Sequence, residues 1–478
     1  MSGPFRGAGA LAQLELAELW RSGFLRAATL AAALLAVVTL AAGGIRAARL
    51  RDEQALATRA VRRQWLEQAP KSPHAAAHFG LWAFRPTPSL AALDEGVDGV
   101  LGRAVWLEAH RQNDFVHAEA RDEVLPPPLV RPSVASLLGA VASLVVLALG
   151  HATFARDREG GMRPLLLSLG ASPAAIALGK ATGAFLALLA LWAPLVVACA
   201  LSVALAGDLD VPRLGALLAV WFALHASLLL VSLALSALAP TARAAFAMAL
   251  LVWLGGVLLA PRALASAAEW ASPVPHREGF ARAVAEALEG GASSDTPAGE
   301  RAEAMKRALL AKHGVARVEE LPFNYDGWAL QAGEEASNPV FDRHFGALED
   351  ALEGQAHFAE RFGLFVPSAA ARSLSMALAG TDEAHHFAFA RAAEGWRRSM
   401  VKTMNDAMTY GWKSGDWESE SGPATWSQVP DFAWSPPPLG AVLREQAHNL
   451  ASLGGFFLLS LAGFVIAARR WVGAEGDR

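Results

Sequence analysis

The chain has 478 residues, of which 54% are hydrophobic and only 18% are charged, with a formal net charge of −4. Soluble globular proteins carry about 25% charged residues, so this composition excludes an ordinary soluble protein, and we expect no nucleic-acid partner. The apolar residues are clustered into six runs that approach or reach the ~20 residues needed to cross a bilayer as a helix. We therefore predict an all-α polytopic membrane protein.

The six predicted spans occupy residues 27–45, 134–155, 176–206, 214–238, 244–260 and 450–468. The first run ends at Ile45-Arg46 without a small-residue cleavage site, so we interpret it as a retained anchor rather than a signal peptide. The fifth run is short and contains Gly255 and Gly256. The distribution of lysine and arginine near the short loops predicts that both termini are cytoplasmic. Three arginines after the first span argue against this orientation, because they would lie on the outer side.

The remaining segments follow from this topology. The pattern of apolar and acidic residues in 1–26 predicts an amphipathic helix at the interface between the membrane and the cytoplasm. Trp20 would lie at the depth of the lipid headgroups. Two insertions form a mainly helical outer domain, and the larger one has 26 Asp and Glu against 17 Lys and Arg. Cys199 is the only cysteine, so the outer domain contains no disulfide and the thiol is expected to be a packing residue. The boundaries are 46–131 and 262–449 for the insertions, 156–175 for the connector between the second and third spans, and 469–478 for the cytoplasmic tail.

The connector combines charged residues with an apolar face. Its charged residues are Arg156, Asp157, Arg158, Glu159 and Arg163, and its apolar residues are Leu165, Leu166, Leu167 and Leu169. This pattern suits a helix that rests at the bilayer surface and also touches a soluble partner. Ser172 is placed to cap the third span.

No nucleotide site is expected in this chain. Gly179-Lys180 invites a Walker A interpretation, but Ala174 stands where the first glycine is needed and Thr182 is one residue late. Lys180 lies at the cytoplasmic end of the third span, where it can snorkel, and the spans contain essentially no other charge. That argues against a proton-coupled carrier, so any ATP chemistry must come from a separate subunit.

Two groups of histidines are candidates for other chemistry. His74 and His78 stand four residues apart and would share one face of a helix that binds a metal, with His110 and His117 further along the chain. No cysteine or methionine cluster accompanies them, and the flanking prolines weaken the helix prediction. We therefore favour hydrogen-bonded packing residues and assign no metal ligand, with His74 and His78 as the candidates should a metal bind.

The second group is Asp382, Glu383, His385 and His386. Acid–base catalysis is one interpretation, but Thr381 or Asp382 at a helix start, followed by an acidic residue, is the usual pattern of an N-terminal cap. We predict a cap here and no catalytic residue.

With these residues in view, the chain resembles the permease subunit of bacterial type-2 ABC transporters, in the branch with six spans and a large outer domain of unknown function. The resemblance is carried by residues 71–99, 104–113, 154–180 and 374–406, and it runs over nearly the whole chain. One departure is Gly161-Met162-Arg163, where the family commonly has Gly-Thr-Leu.

The resemblance implies that the connector is a coupling helix, which docks on a cytoplasmic ABC ATPase. The residues that it assigns to this contact are Arg156, Asp157, Arg158, Glu159, Gly160 and Leu165. It also implies an inner-membrane location, a second permease copy or a sister permease, and export as the default direction. ATP and Mg²⁺ would be bound by the ATPase, and this chain would bind no cofactor and perform no bond chemistry.

Two alternatives stay open. In the first, ATP-driven motion reaches a periplasmic partner through the outer domain and no cargo crosses the membrane. In the second, the histidines make the chain a periplasmic metal-handling membrane protein.

Overall fold

The computed structural model describes residues 7–117, 133–206, 209–290 and 298–473. Six helices in this part of the chain are long and apolar enough to cross a membrane, which identifies a multi-pass membrane protein. We call them the first to sixth spans. They are Phe24–Leu66, Val134–Glu159, Pro173–Leu205, Val211–Leu238, Ala242–Ala271 and Ala447–Gly473.

The first span is much longer than the predicted run of 27–45. It is one helix of 43 residues, about 65 Å long at 1.5 Å per residue, so roughly half of it extends beyond a bilayer core of ~30 Å. A charged, proline-free pattern continues the helix to Leu66. Near its middle, a Cβ atom on Gly43 would lie 2.6 Å from the carbonyl oxygen of Ala92, so the small residue lets the two backbones touch.

The fourth span is the most buried of the six and forms the centre of the bundle. His225 lies within it, accepting a hydrogen bond at Nδ1 from Trp192 Nε1 (3.1 Å) and donating from Nε2 to the Leu138 carbonyl (3.0 Å). Both ring nitrogens are therefore satisfied by neighbouring helices. Cys199 is also buried in this core, as predicted.

The second and fifth spans each contain a π-helical stretch, Leu138–Ala142 and Trp253–Leu259. Such stretches change the register of the helix hydrogen bonds and leave carbonyl groups in need of other donors. Trp253 Nε1 donates to the Ala140 carbonyl (2.8 Å) across the two spans. Ser368 Oγ donates to the Gly256 carbonyl (3.0 Å). The fifth span continues to Ala271, beyond the predicted end at 260.

The N-terminal helix, Ala8–Arg21, packs along the third span. The third span offers two glycines one turn apart. A Cβ atom on Gly179 would lie 2.7 Å from the Ala8 carbonyl oxygen, and one on Gly183 would lie 2.7 Å from that of Ala12. Small residues spaced four apart allow this close approach of two helix backbones. A helix is therefore present within the predicted segment 1–26, at Ala8–Arg21.

The two insertions pack together into one body, which we call the insert domain (residues 67–117 and 272–446). Its first part contains a three-stranded antiparallel sheet in the order β1 (Leu81–Phe84), β2 (Ala104–Glu108) and β3 (Arg111–Gln112). Leu81 pairs with Leu107, and Leu107 pairs with Gln112. The all-α prediction missed this small sheet. The short helices of this part are Pro73–Phe79 and Asp98–Leu101.

The second part of the insert domain is helical, as predicted. Asp382 caps its central helix by accepting a hydrogen bond from the His385 backbone N–H (3.2 Å), which confirms the predicted cap. Trp65, at the end of the first span, is buried against Met404 and Trp426 and ties the two insertions together. The helices are Arg277–Gly290, Ala298–His313, Tyr325–Glu360, Pro367–Ala379, Glu383–Gly411, Pro423–Trp426 and Leu439–Glu445, with a 3₁₀ turn at Val318–Glu320.

One helix of this part leaves the insert domain and enters the bundle. Pro367–Ala379 is buried between the fourth and sixth spans, and Trp221 Nε1 donates to Ser375 Oγ (3.0 Å). Part of the predicted outer segment 262–449 therefore packs against membrane-spanning helices. Parts of the predicted segments 1–26, 46–131, 262–449 and 469–478, and of the turn that follows 176–206, fall outside the described residues.

Candidate functional site

The connector between the second and third spans is two short helices, not one. Ala155–Glu159 ends at Gly160, and Met162–Ser168 begins after Gly161, whose φ of 65° is a left-handed conformation that glycine adopts without strain. Ser172 Oγ accepts a hydrogen bond from the Ala175 backbone N–H (3.1 Å), so the predicted cap of the third span is confirmed. The segment 156–175, predicted as a coupling helix, thus contains two short helices joined at Gly160-Gly161.

A buried ion triad fixes the first connector helix. Lys180 Nζ lies 2.7 Å from Asp157 Oδ2 and 2.9 Å from Glu15 Oε2, and its residue is only 5% exposed. The sequence alone suggested that the Lys180 side chain snorkels to the surface. In the structure it is buried instead, because the carboxylates of Glu15 and Asp157 surround it. The triad joins the N-terminal helix, the connector and the third span.

Two arginines of the connector bind backbone carbonyls at the ends of other spans. Arg158 donates to the carbonyls of Ala237 and Ala239, which are unpaired acceptors at the end of the fourth span. Arg163 donates from Nη2 to the Val472 carbonyl (2.8 Å), and its guanidinium lies 5.4 Å from the Trp471 ring. Both arginines are thereby turned toward the protein.

Two further contacts complete the attachment of the connector. Arg156 Nη2 lies 2.6 Å from Glu18 Oε2 of the N-terminal helix. Glu159 Oε2 accepts a hydrogen bond from the Ala242 backbone N–H (3.2 Å) at the start of the fifth span. The connector is thus bonded to the N-terminal helix and to the third, fourth, fifth and sixth spans.

The second connector helix presents an apolar face to its surroundings. Met162, Leu165 and Leu169 are 40%, 50% and 74% exposed, and their spacing of three and four residues places them on one side. Leu166, by contrast, is buried in the bundle. Of the six residues assigned to a partner contact, Glu159, Gly160 and Leu165 are exposed, Arg156 is half-exposed, and Asp157 and Arg158 are engaged internally.

The structure also brings together three histidines in the insert domain. His74 and His78 lie on helix Pro73–Phe79, which begins with Pro73 at its first position and Ser72 as its cap. His110 occupies the turn between β2 and β3, with a φ of 65°. Ring nitrogens of the three residues lie within 4.8 Å of one another. Burial lowers the pKa of His74 and of His78, which favours the neutral form of both rings.

His385 and His386 serve the packing of the insert domain. His385 Nδ1 lies 2.5 Å from the capping carboxylate of Asp382. His386 is buried with its ring 4.3 Å from that of Phe115. Burial and the nearby charge of Arg85 lower the pKa of His386 to about 3. The predicted cap, without catalysis, remains our interpretation of this group.

Comparison with known proteins gives one match. A family model described as a domain of unknown function, DUF3526, matches residues 277–435, which lie within the second part of the insert domain. No curated protein and no solved structure is significantly similar to the chain.

Proposed function

We propose that the chain is the membrane-spanning permease subunit of an ATP-driven ABC transporter in a bacterial inner membrane. A separate cytoplasmic ATPase, with its ATP and Mg²⁺, would dock on the connector and drive export of an amphiphilic cargo. Both termini would be cytoplasmic, the insert domain would be periplasmic, and a second copy or a sister permease would complete the pathway.

The observation that carries this proposal is the way the connector is attached. Its inner side is bonded to five other elements through Asp157, Arg158, Arg163, Arg156 and Glu159. Its outer side carries an exposed apolar face. A force applied to that face would move the whole bundle rather than bend one loop, which is what transmission from a motor requires.

The exposure and contacts of the connector residues guide our proposal of which ones would meet the ATPase. We assign the docking face to Met162, Leu165 and Leu169, with Glu159 and Gly160 at its edge. Asp157 and Arg158 would instead hold the connector to the bundle.

The test is affinity purification of the tagged full-length chain from its native membrane. The variant Leu165→Asp with Leu169→Asp places two charges on the docking face, and the matched control Leu165→Met with Leu169→Met keeps it apolar. We expect an ABC ATPase to co-purify with the wild-type chain and with the methionine control. It should not co-purify with the aspartate variant, although that variant should melt at the same temperature as the wild type. The proposal is wrong if the wild-type chain captures no ATPase.

Mechanical transmission to a periplasmic partner is the second candidate, and the first span favours it. That helix runs unbroken from the bundle to Trp65, whose Nε1 donates to the Trp426 carbonyl (2.8 Å) inside the insert domain. A rigid connection of this kind would carry motion to the insert domain without any cargo.

The two candidates can be separated in proteoliposomes that contain the chain and its ATPase. Stimulation of ATP hydrolysis by an added cargo supports transport. Transmission is supported if a periplasmic partner, and not cargo, changes the rate of ATP hydrolysis. In that case Thr58→Pro should abolish this change in rate, and Thr58→Ala should retain it. Thr58 is exposed in the middle of the extended helix, where proline would kink it.

A further inference from the structure

The three histidines of the insert domain lie close enough together to share one metal ion, with ring nitrogens all within 4.8 Å of one another. His74 Nε2 lies 3.1 Å from His110 Nε2 and 3.2 Å from His78 Nε2. Three nitrogens bound to Zn²⁺ at about 2.0–2.1 Å in tetrahedral geometry would be separated by about 3.3 Å. The ring centroids form a nearly equilateral triangle with sides of 4.8, 5.0 and 4.9 Å.

A chain of amides fixes the orientation of the His74 ring. The Glu335 carboxylate accepts a hydrogen bond from Gln331 Nε2 (2.9 Å), so the oxygen of Gln331 faces Asn405 and accepts from its Nδ2 (3.1 Å). The oxygen of Asn405 then faces His74 Nδ1 (2.9 Å). Since this oxygen can only accept, His74 carries its proton on Nδ1 and directs the lone pair of Nε2 into the cluster.

A carboxylate does the same for His110. Glu334 Oε1 lies 2.6 Å from His110 Nδ1 and also accepts the backbone N–H of His110. Glu334 Oε2 lies 3.4 Å from Arg397, so this carboxylate is held on both sides. A carboxylate behind the distal nitrogen of a histidine is the usual arrangement around metal-bound imidazole, where it fixes the tautomer and raises ligand basicity.

With His110 neutral and its proton on Nδ1 beside Glu334, the lone pairs of His74 Nε2 and His110 Nε2 face each other at 3.1 Å. That contact is repulsive unless the two nitrogens share a cation, which is either a proton or a metal ion. His110 is also held at a positive φ, a backbone conformation that is uncommon for non-glycine residues and is found where function requires the geometry.

From this arrangement we propose that His74, His78 and His110 form a three-histidine site for a divalent transition metal of the Zn²⁺ type. Glu334 and the Asn405–Gln331–Glu335 chain orient two of the ligands. His78 and His110 are exposed, so the fourth coordination position faces solvent. The site joins helix Pro73–Phe79 and the β2–β3 turn of the first insertion to two helices of the second.

The experiment is a Zn²⁺ titration of the full-length chain, purified in detergent with a tag that lacks histidine and stripped with EDTA. Isothermal calorimetry gives affinity and stoichiometry. We expect one Zn²⁺ per chain and a rise in melting temperature on binding, because an ion that binds only the folded state stabilises it.

Four variants separate the site from adventitious surface binding. His78→Ala removes an exposed ligand, and His110→Asn removes another with a residue that tolerates positive φ. Both should abolish tight binding. Glu334→Gln keeps all three ligands and should weaken binding by ~10–100-fold through loss of orientation. His357→Ala removes an exposed histidine elsewhere and should bind as wild type does.

The proposal is overturned by either of two results. One is that the wild-type chain takes up no Zn²⁺, which would mean that a shared proton holds the cluster. The other is that His78→Ala and His357→Ala bind Zn²⁺ with equal affinity. Gel filtration of each variant verifies that the chain is folded when binding is measured.

Discussion

Lys180 of the third span and Asp157 of the connector form an ion pair of 2.7 Å that is buried from solvent. Glu15 of the N-terminal helix accepts from the same ammonium at 2.9 Å. One charge thus fixes the N-terminal helix, which is distant in sequence, against the connector and the third span. The predictions below begin with this triad.

The first prediction concerns the charge of Lys180. Lys180→Met leaves the carboxylates of Glu15 and Asp157 buried without their cation, which should cost ~3–5 kcal/mol of folding free energy. Thermal unfolding in detergent measures the loss. Lys312→Met, on an exposed helix end, is the control and should melt as wild type does. Adding Glu15→Gln and Asp157→Asn to Lys180→Met should restore much of the stability, and an absence of rescue would contradict the triad.

The second prediction concerns the close packing of the N-terminal helix. In Gly179→Val, the new side chain would collide with the Ala8 carbonyl and with Leu11, both of which belong to that helix. The helix should separate from the third span, and trypsin should then cut faster after the exposed Arg21. Gly463→Val is the control, because nothing lies within 4 Å of a Cβ atom there. Equal cleavage of the two variants would show that the helix does not depend on this contact.

The third prediction concerns the hydrogen bond between Trp65 and Trp426. Trp65→Phe keeps an aromatic ring in the buried site but removes the indole N–H that donates to the Trp426 carbonyl, which retains only the Val429 backbone N–H (3.3 Å). The loss of this hydrogen bond should cost ~0.5–1.5 kcal/mol. Thermal unfolding is the measurement, and Trp270→Phe, at a residue that is 87% exposed, is the control. If Trp65→Phe and Trp270→Phe have the same melting temperature, the hydrogen bond between Trp65 and Trp426 does not hold the insertions together.

The fourth prediction concerns pH. The folded chain holds the pKa of His386 at about 3, whereas an unfolded histidine titrates at about 6.5. The unfolded state therefore binds more protons between these values, and stability should fall as the pH drops below about 6.5. At about pH 5 the loss amounts to ~2 kcal/mol.

His386→Phe should remove this part of the acid sensitivity, and His276→Gln, at an exposed position, should retain it. Unfolding midpoints at about pH 7 and about pH 5, with EDTA present, give the comparison. Equal pH sensitivity of His386→Phe and wild type would contradict the assignment.

The features that could be predicted from sequence are those that depend on neighbouring residues. A run of ~20 apolar residues identifies a span wherever it occurs, and all six were located. The predictions of helix caps at Ser172 and Asp382 were also correct, because each cap joins a side-chain oxygen to the backbone N–H three residues later. Span ends were less accurate, since charged helix continues outside the apolar run.

The features that sequence reasoning missed depend on long-range pairing. Glu15 and Lys180 are 165 positions apart, and His74 and His110 are brought together by the pairing of β1 with β2 and by contacts with the second insertion. One signal for the triad was present: Gly179 and Gly183 have the spacing of a close helix contact, and Glu15 is a charge among leucines. Helix Pro367–Ala379, with 13 residues and Arg372, is too short and polar to be recognised as part of a bundle.

The length of the first span has a geometrical consequence. Some 30 Å of the helix lies past residue 45, at 1.5 Å per residue, and Gly43 rests directly on the Ala92 carbonyl. The glycine contact can act as a fulcrum and the extended part as a lever arm. A tilt of about 10° at that point would displace the far end by ~5 Å, which is the pitch of one helical turn. A small rearrangement among the spans would thus produce a larger displacement at Trp65.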